Sequence, residues 1–205
     1  MPESESGQAH RLVLASASPR RLELLKQIGV TPDDIIPADL DETALTGELP
    51  RPLAERLATS KSEAVFNALQ QPAFVLAADT VVAVGRRILD KAVTKEDAKR
   101  FLELMSGRAH RVYTGLSIRA PDGRHSSRVV CSRVCFKRLT QAEIQLYLES
   151  GEWDGKAGGY AIQGLAAAFV TNINGSYSSI VGLPLYECAM VLRGLGYPAL
   201  AKVDA

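Results

Sequence analysis

Residues Leu12–Gly29, with the sequence LVLASASPRRLELLKQIG, predict a short strand that passes directly into a helix. Three consecutive aliphatic residues, Leu12–Leu14, are typical of a buried strand. Ser18 is a favourable N-cap and Pro19 suits the first helical position, since proline has no amide hydrogen to leave unpaired there. Gly29 is suited to end the helix in the left-handed conformation. The segment therefore predicts a strand–helix unit at the start of an α/β domain.

The first turn of this predicted helix carries two arginines, Arg20 and Arg21. Cations are disfavoured at a helix N-terminus because the helix dipole is positive there. A bound anion removes the conflict, since free amide hydrogens and two guanidinium groups would both face it, and phosphate is the usual anion at such a site. The alternative is a solvated arginine pair whose small electrostatic cost the helix tolerates.

Strand and helix patterns alternate along the rest of the chain, which predicts an α/β fold with a mixed sheet. The 205 residues suffice for one domain, which we expect to span residues 11–205. The further predicted elements are a helix over 52–69, a strand over 74–84, a helix from Thr94 to about Gly107, a hairpin of 111–118 and 128–136, a helix from Thr140 to Gly151, a strand over 166–173 and a helix over 183–195.

Composition narrows the classes of function. The 24 basic and 23 acidic residues leave a net charge of +1, which disfavours a broad nucleic-acid-binding or membrane-binding surface. No apolar run approaches the ~20 residues that cross a bilayer. The three cysteines are expected to be reduced structural thiols of a cytoplasmic protein. Residues 1–10 are polar and acidic, so we expect a flexible tail and not a signal peptide.

Asp79 is the first residue out of place, because it lies inside the apolar segment Phe74–Val84, FVLAADTVVAV. A buried carboxylate is costly unless it is ion-paired, hydrogen-bonded or bound to a metal. Alternatively, the strand ends at Asp79, which then lies at its mouth, where α/β proteins commonly bind ligands. A structural role, in which Asp79 caps a neighbouring loop, is the third interpretation.

Lys61 is the second such residue, since helical spacing puts it on the same apolar stripe as Leu57 and Val65. It either extends its ammonium group to solvent along the helix surface or reaches into a cleft toward phosphate. Lys91 follows the Asp79 strand and its turn, and alone it carries no specific signal.

The segment Gly155–Gly164, GKAGGYAIQG, is a glycine-rich loop that does not match a Walker A motif. Its glycines permit close approach of the backbone to a ligand, and Gln163 offers an amide that can pair with a polar ring edge. No two histidines have the spacing of metal ligands, and nothing indicates a His–Ser or His–Cys nucleophilic mechanism.

In order and spacing, these motifs resemble the Maf family of nucleoside triphosphate pyrophosphatases, from Arg11 to about Tyr197. The Lys156–Gly164 segment is similar to that of the dTTP/UTP pyrophosphatase branch. One departure is Ala92, where the family usually has proline after the lysine. The matching motifs are Ser16–Arg21, Asp41–Thr43, Lys61, Ala78–Thr80, Lys91, Ser106–Arg108, Tyr113–Gly115, Lys156–Gly164, Asn174–Tyr177 and Val181–Pro184.

The resemblance implies an elongated mixed sheet flanked by helices, with two lobes and a central cleft, in an ITPase-like α/β fold. It implies a cytoplasmic house-cleaning enzyme, often a homodimer, that hydrolyses dTTP or UTP to the monophosphate and pyrophosphate with Mg²⁺ or Mn²⁺. A regulator of septum formation that acts through a protein partner is the alternative function, although a lysine and an aspartate buried in a cleft favour catalysis.

The resemblance also implies roles for individual residues. Asp79 would be the proton acceptor and Lys61 and Lys91 further catalytic residues. The remaining expected roles are phosphate binding by Ser16, Arg20 and Arg21, base selection by Arg20, Thr80 and Gln163, and metal binding by Asp79 and Glu42.

Overall fold

The computed structural model describes residues 10–200. Most of the predicted flexible tail therefore lies outside the described residues. His10 is described, and its ring lies 6.2 Å from the ring of Phe74. No helix within this range is both long enough and apolar enough to cross a membrane.

The described residues form a seven-stranded sheet that combines parallel and antiparallel pairs, which confirms the predicted mixed α/β class. Six strands follow the order β2-β1-β3-β5-β6-β7, and β4 pairs with β3. The β1 pairs are parallel and the others antiparallel. The strands are β1 (Leu12–Leu14), β2 (Asp34–Ile35), β3 (Phe74–Val84), β4 (Arg87–Leu89), β5 (Ala109–Arg119), β6 (His125–Phe136) and β7 (Val170–Asn174).

Capping residues mark the starts of the two helices predicted from Thr94 and Thr140, whereas the helix predicted over 52–69 begins at Pro50 and the one predicted over 183–195 begins at Leu185. Thr94 and Thr140 each accept a hydrogen bond from the amide three residues later, and Gly151 ends its helix with φ 72°. The helices are α1 (Pro19–Gln27), α2 (Pro50–Ala68), α3 (Lys95–Met105), α4 (Gln141–Ser150), α5 (Tyr177–Val181) and α6 (Leu185–Gly194).

The prediction of a strand over 166–173 is wrong in its first half. Residues Leu165–Phe169 form a 3₁₀ helix, and β7 begins only at Val170. Ala166 and Phe169 are both buried and lie three residues apart, which places them on one side of a 3₁₀ turn. A short apolar run cannot distinguish this arrangement from a strand by its pattern alone.

Two main hydrophobic clusters lie on the same face of the sheet, toward opposite ends of β3, one at Val82 and the other at Phe74 and Leu76. One contains buried residues of α3 and α4, such as Leu102 and Ile144. The other contains Leu12 of β1 and buried residues of α1 and α6, such as Leu25. Val181 packs against both clusters. This division corresponds to the two lobes that the family resemblance implies.

Helix α2 packs very closely on β5, because Gly115 has no side chain. A Cβ atom added at Gly115 would lie 2.0 Å from the carbonyl oxygen of Ala54, which no real structure allows. The contact brings the helix that carries Lys61 down onto the strand beside Asp79, since Gly115 is the register partner of Asp79.

We expect Gly115→Ala to lower the free energy of unfolding by about 2–4 kcal/mol, because helix and strand must separate to admit the methyl group. Gly194→Ala is the matched control. A Cβ at Gly194 meets nothing within 4 Å, and its φ lies outside the positive range. Urea unfolding of both variants checks the expectation. Equal midpoints for Gly115→Ala and the wild type would contradict the close contact.

Candidate active site

A cleft with a volume of about 460 Å³ lies between the start of α1, the middle of β3 and the glycine-rich loop. All nine residues that the sequence singled out for a site line this cleft. They are Ser16, Arg20, Arg21, Glu42, Lys61, Asp79, Thr80, Lys91 and Gln163. The fold therefore brings together residues that are up to 147 positions apart, from Ser16 to Gln163.

Asp79 lies within β3, which continues to Val84, so the strand does not end at the carboxylate. The residue is 7% exposed, and its Oδ1 accepts a hydrogen bond of 2.5 Å from Lys61 Nζ. Lys61 is also only 7% exposed, so its ammonium group does not extend along the helix surface to solvent. Asp79 is thus a buried carboxylate stabilised by an ion pair, one of the interpretations that the sequence left open.

Glu42 extends this ion pair into a chain of four charges. Lys61 Nζ lies 2.6 Å from Glu42 Oε1, and Lys91 Nζ lies 2.6 Å from Glu42 Oε2. Burial raises the pKa of Glu42, but the hydrogen bonds and charges of Lys61 and Lys91 outweigh that effect and lower the pKa to about 2. Glu42 is therefore ionised at neutral pH, and two carboxylates alternate with two ammonium groups.

One oxygen of this acidic pair remains free to act on a ligand. Both oxygens of Glu42 and Oδ1 of Asp79 bind lysines. Asp79 Oδ2 has no hydrogen-bond partner within residues 10–200, and it is not sealed from solvent. Of the oxygens of Asp79 and Glu42, it is thus the one that is available to a water molecule, a substrate or a cation.

The two arginines at the start of α1 differ in their surroundings. Arg21 donates to Ser16 Oγ at 2.7 Å and to the carbonyl oxygen of Gly182 at 2.9 Å. Burial lowers the pKa of Arg21, an effect that the charge of Asp79 opposes. Arg20 makes no hydrogen bond or ion pair within the described residues, and burial lowers its pKa. Arg20 is therefore the guanidinium left for an anion, whereas Arg21 joins three parts of the site.

The N-terminus of α1 has the geometry that an anion site requires. Ser18 occupies the N-cap position, but its side chain makes no capping hydrogen bond. Pro19 has no amide hydrogen, and the amides of Arg21 and Leu22 donate to the carbonyl oxygen of Ser18. The amide of Arg20 is therefore the one in this turn that has no acceptor within the described residues, and Arg20 lines the cleft. This arrangement supports the expectation of phosphate binding in the first turn.

The glycine-rich loop is fixed to the segment that carries Lys91. Lys91 and Ala157 form an isolated antiparallel bridge, and Ala92 N donates to the carbonyl oxygen of Lys156 at 3.1 Å. Gly158 has φ 68°, and a Cβ there would lie 2.8 Å from Val82 Cγ1, so only glycine fits. Gln163 is exposed in the cleft wall, and its amide has no hydrogen bond within the described residues.

Sequence reasoning missed a buried pair that supports this loop. His110 Nε2 lies 2.8 Å from Tyr160 Oη, and His110 is 2% exposed. Burial lowers the pKa of His110 to about 4, so its imidazole is neutral at physiological pH. The period-two alternation in β5 puts His110 and Thr114 on one face of the strand. That pattern could have indicated that His110 is buried, but not that it contacts Tyr160.

The acidic pair of the cleft is compatible with a hard divalent cation. Within residues 10–200 no group of three or more His, Cys, Asp or Glu side chains is placed to hold a metal. Mg²⁺ nevertheless often binds through one or two carboxylates while substrate phosphates and waters complete its shell. Asp79 Oδ2 is a free oxygen donor of that kind, whereas Glu42 would have to release a lysine to bind the ion.

Comparison with known proteins identifies the family. A family model described as Maf-like protein matches residues 11–195. The chain is 61% identical over 187 residues to a dTTP/UTP pyrophosphatase of Paramagnetospirillum magneticum, which covers 91% of this chain and 97% of that protein. It is 58% identical over 192 residues to a dTTP/UTP pyrophosphatase of Mesorhizobium japonicum, with coverages of 91% and 92%.

Among solved structures, the Staphylococcus aureus Ham1 protein has a TM-score of 0.45 and 22% identity, over 62% of this chain and 71% of that chain. The resemblance inferred from the motifs is confirmed by the family match, which extends over nearly the whole described fold. The chain belongs to the Maf-like protein family.

Proposed function

We propose that this protein is a nucleoside triphosphate pyrophosphatase that hydrolyses dTTP and UTP to the monophosphate and pyrophosphate. The observation that carries the proposal is the free Oδ2 of Asp79 in a cleft that is also lined by Arg20, whose guanidinium group and backbone amide have no partner within the described residues. Hydrolysis of a phosphoanhydride needs an oriented water, a base and cationic groups around the phosphates. The dTTP/UTP pyrophosphatases of two bacteria share more than half of their residues with this chain, which supports the choice of substrate.

Phosphate binding is assigned to the start of α1. The guanidinium group and the backbone amide of Arg20 would hold the oxygens of the triphosphate, at the positive end of the helix. Ser16 and Arg21, joined at 2.7 Å, hold this turn in position. Lys61 and Lys91 also line the cleft, where both are ion-paired, and a phosphate oxygen would compete with Glu42 for their ammonium groups.

Asp79 is assigned the role of general base. Its Oδ2 accepts a proton from a water molecule whose oxygen attacks the α-phosphorus, the bond from the α-phosphorus to the bridging oxygen breaks, and pyrophosphate leaves with that oxygen. Lys61 holds the carboxylate in place through Oδ1 and leaves Oδ2 without a partner within the described residues. The base is therefore fixed before the substrate arrives.

Asp79 and Glu42 are also the residues that would hold Mg²⁺ or Mn²⁺. When bound, the cation would supply additional neutralisation of phosphate charge. The two residues' own contribution is to present carboxylate oxygens at the base of the cleft, with Lys61 between them.

Selection of the nucleobase of the substrate is assigned to Gln163, Thr80 and Arg20. The unpaired amide of Gln163 offers a donor and an acceptor, which complement the N3–H and carbonyl groups of uracil and thymine.

A cytoplasmic location and assembly as a homodimer remain predictions. No observation within the described residues favours the septum-regulator alternative or a nucleic-acid partner.

Purified protein should convert dTTP and UTP to the monophosphate and pyrophosphate, and Asp79→Asn should lower kcat by about 10²–10⁴-fold. The amide is nearly isosteric but cannot take a proton at Oδ2. Product release with dTTP, followed with a coupled inorganic pyrophosphatase, measures the effect. Cooperative thermal unfolding of the variant serves as the control for folding, and a kcat above a tenth of the wild-type value would remove Asp79 from this role.

Lys61→Met should abolish most activity and also lower the free energy of unfolding at pH 7 by about 3 kcal/mol. The change leaves the carboxylates of Asp79 and Glu42 close together without the cation between them. Lys99→Met is the matched control, because Lys99 lies on the surface with 52% side-chain exposure and only a 4.0 Å ion pair to Glu103. It should leave both activity and stability near wild type.

The loss of stability in Lys61→Met should depend on pH. In the wild type the pKa of Glu42 is lowered from 4.5 to about 2, so its stabilising contribution is complete above about pH 5 and is lost as the pH falls toward 2. The difference between the two proteins should therefore be largest at pH 7 and shrink at pH 4. Urea unfolding at both pH values tests this, and a pH-independent difference would contradict the charge-based explanation.

Gln163→Ala should narrow the preference for UTP and dTTP over CTP and GTP, since a site that pairs with a base edge discriminates by leaving polar groups unpaired with the wrong base. The value of kcat/KM for all four nucleotides in both proteins gives the answer. A uniform decrease with unchanged ratios would show that Gln163 supports the loop and does not contact the base.

A further inference from the structure

His110 is a polar residue in an aromatic environment. Its ring centroid lies 4.9 Å from that of Phe136 and 5.3 Å from that of Tyr160, in edge-to-face geometry. The surrounding cluster is otherwise apolar and includes Val112, Val134 and Phe169. An imidazole at such a position therefore loses its hydration and regains hydrogen bonds only from what lies within reach.

Only one of the two ring nitrogens of the buried His110 has a hydrogen-bond partner within the described residues. Nε2 is bonded to Tyr160 Oη, but Nδ1 is buried and has no hydrogen-bond partner within residues 10–200. A buried polar atom without a partner costs free energy. A leucine or phenylalanine would avoid that cost, so stability alone does not account for the histidine. Its distinguishing contribution is the hydrogen bond to Tyr160.

Tyr160 transmits this bond to the glycine-rich loop. It is 6% exposed, belongs to the loop and also lines the cleft. The hydroxyl group of Tyr147, in α4, accepts a further hydrogen bond of 3.0 Å from the amide of Ala161 in the loop. These two bonds attach the loop to β5 and α4 at positions only two and three residues before Gln163. The chain from His110 to Gln163 is thus one hydrogen bond followed by three residues of backbone.

We propose that His110 is a positioning residue for nucleotide selection, which fixes the Gln163 end of the glycine-rich loop through the hydroxyl group of Tyr160. The inference rests on the proposed function, because it assumes that Gln163 contacts the base. His110 acts on the substrate only through Tyr160, and the loss of either side chain's polar atom should therefore have the same consequence.

The experiment compares kcat/KM for dTTP, UTP, CTP and GTP in the wild type, His110→Leu, Tyr160→Phe and the double variant. Each single change removes one partner of the same hydrogen bond, so we expect each to lower the preference for dTTP over GTP by about three- to tenfold, with KM rising more than kcat falls. The double variant should lose no more preference than one single variant. Tyr160→Phe keeps the ring, so it tests the bond even if His110→Leu folds poorly.

Two further variants separate positioning from general loosening of the core. His110→Gln restores a hydrogen-bonding group near the position of Nε2 and should recover part of the preference. Phe101→Leu removes volume from the same hydrophobic cluster, outside the ring contacts of His110. It should lower Tm while the nucleotide ratios stay at the wild-type values.

Hydrogen exchange of the amides of residues 160–164, measured without nucleotide, provides a readout independent of catalysis. Exchange should be faster in His110→Leu and Tyr160→Phe than in the wild type and Phe101→Leu. Wild-type ratios in both His110→Leu and Tyr160→Phe, additive losses in the double variant, or an equal shift in Phe101→Leu would overturn the inference. A wild-type protein that hydrolyses no triphosphate, or shows no preference among them, would instead overturn the proposed function, while the exchange data would still decide whether His110 holds the loop.

Discussion

The bond between Lys61 and the two carboxylates of Asp79 and Glu42 is the interaction on which the rest of the site depends. A charged lysine inside a helix–sheet interface is tolerated only when its partners are in place. Those partners come from the centre of β3 and from the loop after β2, so one ammonium group joins three segments. The same contact requires α2 to lie close to the sheet, which the absence of a side chain at Gly115 permits.

Charge is distributed unevenly in a protein whose net charge is only +1. The acidic and basic groups at the base of the cleft neutralise one another, whereas Arg20 has no acidic partner within the described residues. A polyanion entering the cleft therefore meets one unpaired guanidinium group beside a set of paired charges. This arrangement lets the protein attract a triphosphate without a basic surface that would hold nucleic acids nonspecifically.

Local sequence patterns predicted much of the secondary structure and the membership of the site. Capping residues and the alternation of apolar residues located most helices and strands. All nine candidate residues selected from the motifs line one cleft in the structure. Whether Asp79 lies at a strand end or within the strand was not decidable, because its partner Lys61 belongs to a different element. The different surroundings of Arg20 and Arg21 were likewise not predictable, because Gly182, which accepts a hydrogen bond from Arg21, lies 161 positions away in the sequence. His110 carried no local signal of its contact with Tyr160.

The bridge between Lys91 and Ala157 has a mechanical consequence. The strand-like pairing of these two segments means that the backbone beside Lys91 and the backbone of the glycine-rich loop move as one unit. The side chain of Lys91 binds Glu42, which also binds Lys61. A ligand that draws Lys91 away from Glu42 therefore pulls on the loop that lines the other wall of the cleft. The position of Lys91 and the position of the glycine-rich loop are therefore linked through the backbone hydrogen bonds between their two segments.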